Sequence, residues 1–253
     1  MEISDVAASG FGAGADDYER GRPSYPDDAV AWLVAELGIE ASSVVVDLAA
    51  GTGKLTRLLV PTGARMVAVE PVAAMRDQLV RTCPEVTVVE GTAEATGLPD
   101  GSADAVTVAQ AFHWFDPVAA SAEIARVLRP GGHLGIVFNE RDAREPWVAE
   151  LSRLIRWDER ERWRVPYTVE VDWAATLAAS GPQFEPAARY DTTYRQPMDA
   201  ETLVARVLST SYVAVLPADE RARLADAVRA LAEPLGDTFE LPYVTVAYAA
   251  CRR

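Results

Sequence analysis

The chain has 253 residues, with 38 Asp and Glu against 24 Lys and Arg for a net charge of −14. That balance argues against a nucleic-acid partner, because neutralising phosphates needs clustered Lys and Arg. No apolar run approaches the ~20 residues that span a bilayer, so a membrane partner is not expected either. The two cysteines, Cys83 and Cys251, show neither CxxC nor metal spacing, and no metal site is expected. The start, Met1-Glu2-Ile3-Ser4-Asp5, is acidic and lacks the apolar core of a secretion signal,. A cytoplasmic protein is expected, long enough to bury about three-quarters of its unfolded surface.

In chain order, Asp27 to Leu37 reads as a helix with Val30, Leu33, Val34 and Leu37 on one face and Gly38 as its stop,. Val44-Val45-Val46-Asp47-Leu48 is β-branched and bounded by turn residues, the pattern of a buried parallel strand,. Further strands are expected at about 66–69, 86–90, 104–109 and 133–138, with helices near 53–60, 72–82 and 117–128. Asp100-Gly101 and Pro130-Gly131-Gly132 are turns leading into strands,. Strand alternating with helix predicts a parallel sheet covered on both faces. In such sheets ligands bind beyond the carboxyl ends of the strands, at the switch point. Asp47, Glu70, Ala93, Glu94 and Gln110 all fall at or just beyond strand ends.

The loop Asp47-Leu48-Ala49-Ala50-Gly51-Thr52-Gly53 follows the first strand, and Gly51 and Gly53 allow a tight turn and close approach to a ligand,. Glu70 closes the second strand, where a carboxylate can accept both hydroxyls of a ribose. Together they point to a nucleoside cofactor. Thr56 stands where a dinucleotide fingerprint has its third glycine, which weakens a nicotinamide assignment,. Lys54 is followed by Leu55 rather than Ser or Thr, so the phosphate-binding P-loop pattern fails,.

Residues 140–180 differ in character. They hold four of the six tryptophans, Trp147, Trp157, Trp163 and Trp173, and a charged run from Arg153 to Arg164. An inserted lid over the substrate cavity is expected; a surface helix with paired Glu and Arg and anchoring tryptophans is the alternative. Two last strands are expected at 183–195 and 238–251, with helices near 199–208 and 218–232 between them.

Five blocks stand in order along residues 11–139: Tyr18-Glu19-Arg20-Gly21-Arg22-Pro23-Ser24-Tyr25-Pro26 with the glycine loop, Glu70-Pro71, Glu90-Gly91-Thr92-Ala93-Glu94, Ala109-Gln110-Ala111-Phe112-His113-Trp114-Phe115-Asp116 and Leu128-Arg129-Pro130-Gly131-Gly132. With them the chain resembles the class I S-adenosylmethionine-dependent methyltransferases, in the small-molecule branch (methyltransferase type 11) that includes quinone-biosynthesis and trans-aconitate methyltransferases. The resemblance implies an α/β, Rossmann-like, doubly wound and mostly parallel seven-stranded sheet with an antiparallel edge hairpin. The chain is then a single domain, 1–253, with a cofactor-binding core at 11–139, the inserted lid at 140–180 and completing strands and helices at 181–253. Ala49 departs from the family, which usually has Gly there.

The resemblance also implies roles. Ala49, Gly51 and Gly53 border the methionine part of S-adenosylmethionine, Glu70-Pro71 holds the ribose, and Met75 packs by the adenine. Ala93 and Glu94 meet the adenine edge, and the Gln110-Ala111 backbone lies near the sulfonium. Asp47 orients the cofactor amino group through water or caps the turn; Tyr18 and Arg22 clasp its carboxylate, unless Arg22 is only a surface ion pair.

His113 ends up beside the methyl donor, where an imidazole of ordinary pKa takes a proton from the acceptor or merely shapes the pocket. His133, at a strand start, is a solvated turn residue. If the acceptor is a carboxylic acid, no base is needed, and Arg156 or Arg160 in the lid would steer it. Trp114 stacks on the acceptor or packs in the core. The activity expected is methyl transfer to oxygen of a small molecule, a hydroxyl or a carboxylate, leaving S-adenosylhomocysteine. The alternatives are a nicotinamide oxidoreductase or a non-methylating binder of the same cofactor, and the protein is expected as a monomer or homodimer.

Overall fold

A computed structural model describes residues 19–157 and 168–253; Tyr18, Arg160 and Trp163 lie outside the described residues. Its centre is one seven-stranded sheet in the order β3-β2-β1-β4-β5-β7-β6. The strands are β1 (Val44–Leu48), β2 (Arg65–Val69), β3 (Thr87–Val89), β4 (Ala103–Ala109), β5 (Leu128–Arg141), β6 (Ala188–Met198) and β7 (Phe239–Cys251). From β3 to β5 neighbours run parallel, and β7 pairs antiparallel with both β5 and β6. This is the Rossmann-like sheet with an antiparallel edge that the sequence implies.

Period-two alternation decides what each face buries. Val45, Met66, Ala68, Ala105 and Val137 face one side, where they meet Leu33 and Leu37, Leu55 and Leu59, and Leu79. Those leucines belong to α1 (Asp27–Glu36) with the turn after it, α2 (Lys54–Leu59) and α3 (Ala73–Thr82). Val46, Val67, Val69, Val106 and Val108 face the other side and pack with Ile124, Trp173 and Leu177. These come from α4 (Pro117–Val127) and α6 (Trp173–Ala179), numbered after α5 (Pro146–Leu154). Asp116 caps α4 by accepting from the Val118 and Ala119 amides,.

A third apolar cluster gathers α5, through Val148 and Leu151, with α7 (Ala200–Leu208), α8 (Ser211–Ala214) and α9 (Ala218–Ala232). It closes on Leu241 and Tyr243 of β7 and Met198 of β6. The described parts of 140–180 therefore go to two places: α5 to this cluster and α6 to the core over α4. Residues between them, 158–167, lie outside the described residues. No helix among the described residues is long and apolar enough to cross a membrane.

The order of the sheet positions the site. After β1 the chain winds outward through β2 and β3, then returns to lay β4 on the other side of β1. Their connections diverge there, so the carboxyl ends of β1 and β4 border an open crevice. The glycine loop leaves β1 at that point, and Gln110-Ala111 leaves β4 beside it.

Candidate active site

Two non-glycine residues sit in left-handed backbone at the mouth of this crevice, Ala49 at φ +54° and Gln110 at φ +58°. Such conformations concentrate at functional sites, where the surrounding structure holds them against their cost. Gln110 is held by its own amide, which donates to the Val137 carbonyl (2.9 Å), and by Nε2 donating to the Asn139 carbonyl (2.7 Å). Asn139 is fixed in turn: Thr245 Oγ1 donates to its Oδ1 and its Nδ2 donates to the Ser24 carbonyl. Gly51, at φ +58°, has open space where a Cβ would stand. Gly53 is left-handed as well, at φ +84°, and opens α2.

Asp47 is buried at the end of β1. Thr56 Oγ1 (2.5 Å) and Thr107 Oγ1 (2.9 Å) donate to its carboxylate. Burial pushes its pKa up to about 6 against those hydroxyl bonds,. Thr56, the residue that replaces a dinucleotide site's third glycine, thus has its own task in fixing Asp47. Glu70 is 5% exposed and clamps the loop from β2: Oε2 accepts from the Gly51 amide (2.9 Å) and Oε1 from the Val72 amide (2.8 Å). Burial raises its pKa while those amides lower it. Pro71 follows, its carbonyl accepting from Arg76 Nη1. Met75 and Ala93 are buried, and Glu94 accepts from the Asp116 amide (3.0 Å).

Two adjoining cavities open here. One lies against Ala49, Gly51, Thr52 and Lys54. The other, about 570 Å³ of atom-free space with its mouth included, lies against His113, Trp114, Glu140, Trp157, Thr168 and Thr210. Arg22, Gln110 and Arg206 line both. Arg22 is anchored by Nη2 donating to the Ser209 carbonyl (2.9 Å). Glu19, from the same N-terminal segment, accepts from Thr52 Oγ1 and pairs with Lys54 and Arg57. The segment therefore lies across the glycine loop.

His113 is half-buried in the turn after β4, its ring 4.6 Å from that of Trp114 and 6.0 Å from that of Phe138. Its Nδ1 is enclosed without a hydrogen-bond partner among the described residues. Burial, with the Arg22 charge adding to it, pushes the imidazole pKa down to about 3, so the ring is neutral across the physiological range.

A family model described as a methyltransferase domain matches residues 46–136. An uncharacterised methyltransferase of Mycobacterium tuberculosis is 42% identical over 250 residues, which is 95% of this chain and 94% of that one. The chain belongs to the class I S-adenosylmethionine-dependent methyltransferases. Among solved structures, one from Anaeromyxobacter dehalogenans assigned as a type II methyltransferase is 27% identical, with a TM-score of 0.65 over 90% of this chain and 97% of that one. The fold is shared more distantly with phospholethanolamine N-methyltransferase 2 of Haemonchus contortus, 14% identical, TM-score 0.58, covering 99% of this chain and 60% of that one. That enzyme was solved with phosphomonomethylethanolamine and S-adenosylhomocysteine.

In this methyltransferase the structure gathers Arg22, Ala49, Gly51, Gln110, His113 and Trp114 around the two cavities. Glu70, Pro71, Met75, Ala93 and Glu94 lie beyond the ends of β2 and β3, along the same edge of the sheet. Arg156 is not among the gathered residues. It is exposed at the end of α5 and lines neither cavity. A cation that the sequence reading did not single out, Arg206 of α7, lines both cavities beside Arg22 and is buried at 6% exposure. Its one trace in the sequence is a charge inside the apolar run Leu203-Val204-Ala205-Arg206-Val207-Leu208.

Proposed function

We propose that the chain transfers a methyl group from S-adenosylmethionine to an oxygen of a small acceptor, and that an ionised carboxylate suits the site better than a hydroxyl. The observation that carries this is the pairing of cavities: one runs along the glycine loop, the other joins it at Gln110 beside a histidine whose pKa is about 3. A base so weak takes few protons from a hydroxyl near neutrality. A carboxylate reaches the site already deprotonated.

The residues fit the cofactor. The open space over Gly51 leaves room for a ligand against the backbone, and the Glu70 carboxylate is pre-aimed by two amides. When bound, S-adenosylmethionine supplies a methyl group on a positively charged sulfur, and the oxygen–methyl bond forms as the sulfur–methyl bond breaks, its electron pair passing to sulfur. Glu70 would hold the ribose, with Pro71 and Met75 beside it. Ala93 and Glu94 would border the adenine, Ala49, Gly51 and Gly53 the methionine portion, and Arg22 its carboxylate. Asp47, through Thr56 and Thr107, keeps β1, α2 and β4 in register beneath that portion. Gln110 and Ala111 would form the wall nearest the reacting atoms. Trp114 offers a flat face to the acceptor and His113, neutral, a polar edge. Positioning of this kind supplies roughly 7–11 kcal/mol in favourable cases.

Calorimetric titration of the full chain with S-adenosylhomocysteine tests the cofactor half. Micromolar binding is expected, weakened about tenfold or more in Glu70→Ala, the scale of a lost charged hydrogen-bond pair. A metabolite screen with methyl-labelled donor tests the rest; label appearing on nitrogen or carbon acceptors alone would overturn the oxygen assignment.

A further inference from the structure

The second cavity is lined by charged and polar side chains from several elements. Arg22 and Arg206 line it, and Glu140 is the one acidic side chain among its described lining residues. Glu140 is already engaged, accepting from Thr168 Oγ1 (2.5 Å). Arg141 is buried close behind, and its charge and that of Arg206 repel each other.

Besides His113 Nδ1, two further polar groups in this wall are unsatisfied among the described residues. Arg206 is 6% exposed; its Nε donates to the Tyr243 hydroxyl (3.1 Å), while its Nη1 is enclosed without a partner among the described residues. Thr210 is 4% exposed, stands just before α8, and makes no cap bond to that helix. Its Oγ1 is likewise enclosed and unpartnered. Buried donors left unpaired are few in folded proteins, and each calls for an explanation. A guanidinium and a hydroxyl that line one cavity match a carboxylate, which accepts from both,.

We propose that Arg206 and Thr210 hold a carboxylate of the methyl acceptor, so that the substrate class is a small organic acid. The proposal rests on the second cavity being the acceptor's. Arg22 is left to the cofactor's own carboxylate, and a residue inside the fold takes the steering role that the sequence assigns to Arg156 or Arg160, the latter outside the described residues.

The test is calorimetry on the full chain saturated with S-adenosylhomocysteine, titrated with succinate and citrate, with dimethyl succinate and inorganic phosphate as the contrasting arms. Succinate or citrate is expected to bind the wild type and dimethyl succinate not to. Arg206→Met should lower the acid affinity about tenfold or more, and Thr210→Val, at a residue that lines the second cavity and not the first, severalfold with S-adenosylhomocysteine affinity held within about twofold,. Arg156→Ala should match the wild type. If Arg206→Met does not fold, Thr210→Val carries the comparison.

Four results would overturn the inference: no binding of either acid at millimolar concentration, equal acid affinity in wild type and variants, tighter binding of phosphate than of succinate, or a larger loss of S-adenosylhomocysteine affinity than of acid affinity in Arg206→Met. The last would assign Arg206 to the cofactor. Wild type that binds S-adenosylhomocysteine but no acid sinks this inference alone; wild type that binds neither sinks the proposed function with it.

Discussion

Ala49 shows what a side chain costs in left-handed backbone. At φ +54° its methyl group crowds the neighbouring carbonyl, a strain of about 1–2 kcal/mol that glycine avoids,. Ala49→Gly is therefore expected to stabilise the fold by about 1 kcal/mol, allowing for glycine's greater freedom when unfolded, and urea titration would show it as a raised midpoint at unchanged slope. His113 carries a pH signature of opposite sense to that of a group gaining an acidic partner. Its pKa falls from 6.5 to about 3 on folding, so the unfolded chain binds the proton first. Its contribution is present in full above pH 6.5 and drains away as the pH falls toward 3, at up to about 1.4 kcal/mol per pH unit,. Wild type should lose up to about 2 kcal/mol relative to His113→Phe between pH 7 and pH 5; parallel denaturation curves at the two pH values would refute the shift. At this scale the sequence is only partly legible. Glu70 stands out because a strand ends there, but its bond to Gly51 depends on side-chain direction, which spacing does not reveal. Arg206 is hidden for the same reason: a charge within an apolar run is equally consistent with the exposed flank of a helix.

Among the elements, strands β1, β2 and β4 lie close to their expected places because each is a short valine-containing, mostly apolar run between turn signals. β5 extends beyond its expected span, to Arg141, because β7 continues to pair with it as far as Tyr243. That pairing is a long-range contact with no local trace. The segment 140–180 is the least legible, since its charges and tryptophans mask two short amphipathic pieces. Trp173 shows the point: it is 5% exposed, stacks on Phe138 at 4.9 Å, meets Phe112 edge-on, and donates from Nε1 to the Thr168 carbonyl (2.7 Å). It belongs to the core. Trp173→Ala should cost about 3–5 kcal/mol in chemical denaturation, far more than a tryptophan on a loosely docked lid would.

Across the whole molecule, the N-terminal segment joins parts that the sheet keeps separate. Glu19 grips the glycine loop, Gly21 packs where a Cβ would fall 2.3 Å from the Arg206 amide, and the Ser24 carbonyl accepts from Asn139 of β5. Gly21→Ala is expected to lower both thermal stability and S-adenosylhomocysteine affinity, because relieving that clash means lifting Arg22 away from the crevice. Unchanged melting and titration would show that the segment yields without consequence.

Arg22, Gln110 and Arg206 form the partition between two chambers. A wall with a face in each cannot adjust to one occupant without presenting an altered surface to the other. If donor and acceptor occupy them as proposed, the two are energetically linked, and linkage is symmetric: by whatever factor S-adenosylhomocysteine shifts the dissociation constant of an acid, that acid must shift the dissociation constant of S-adenosylhomocysteine equally.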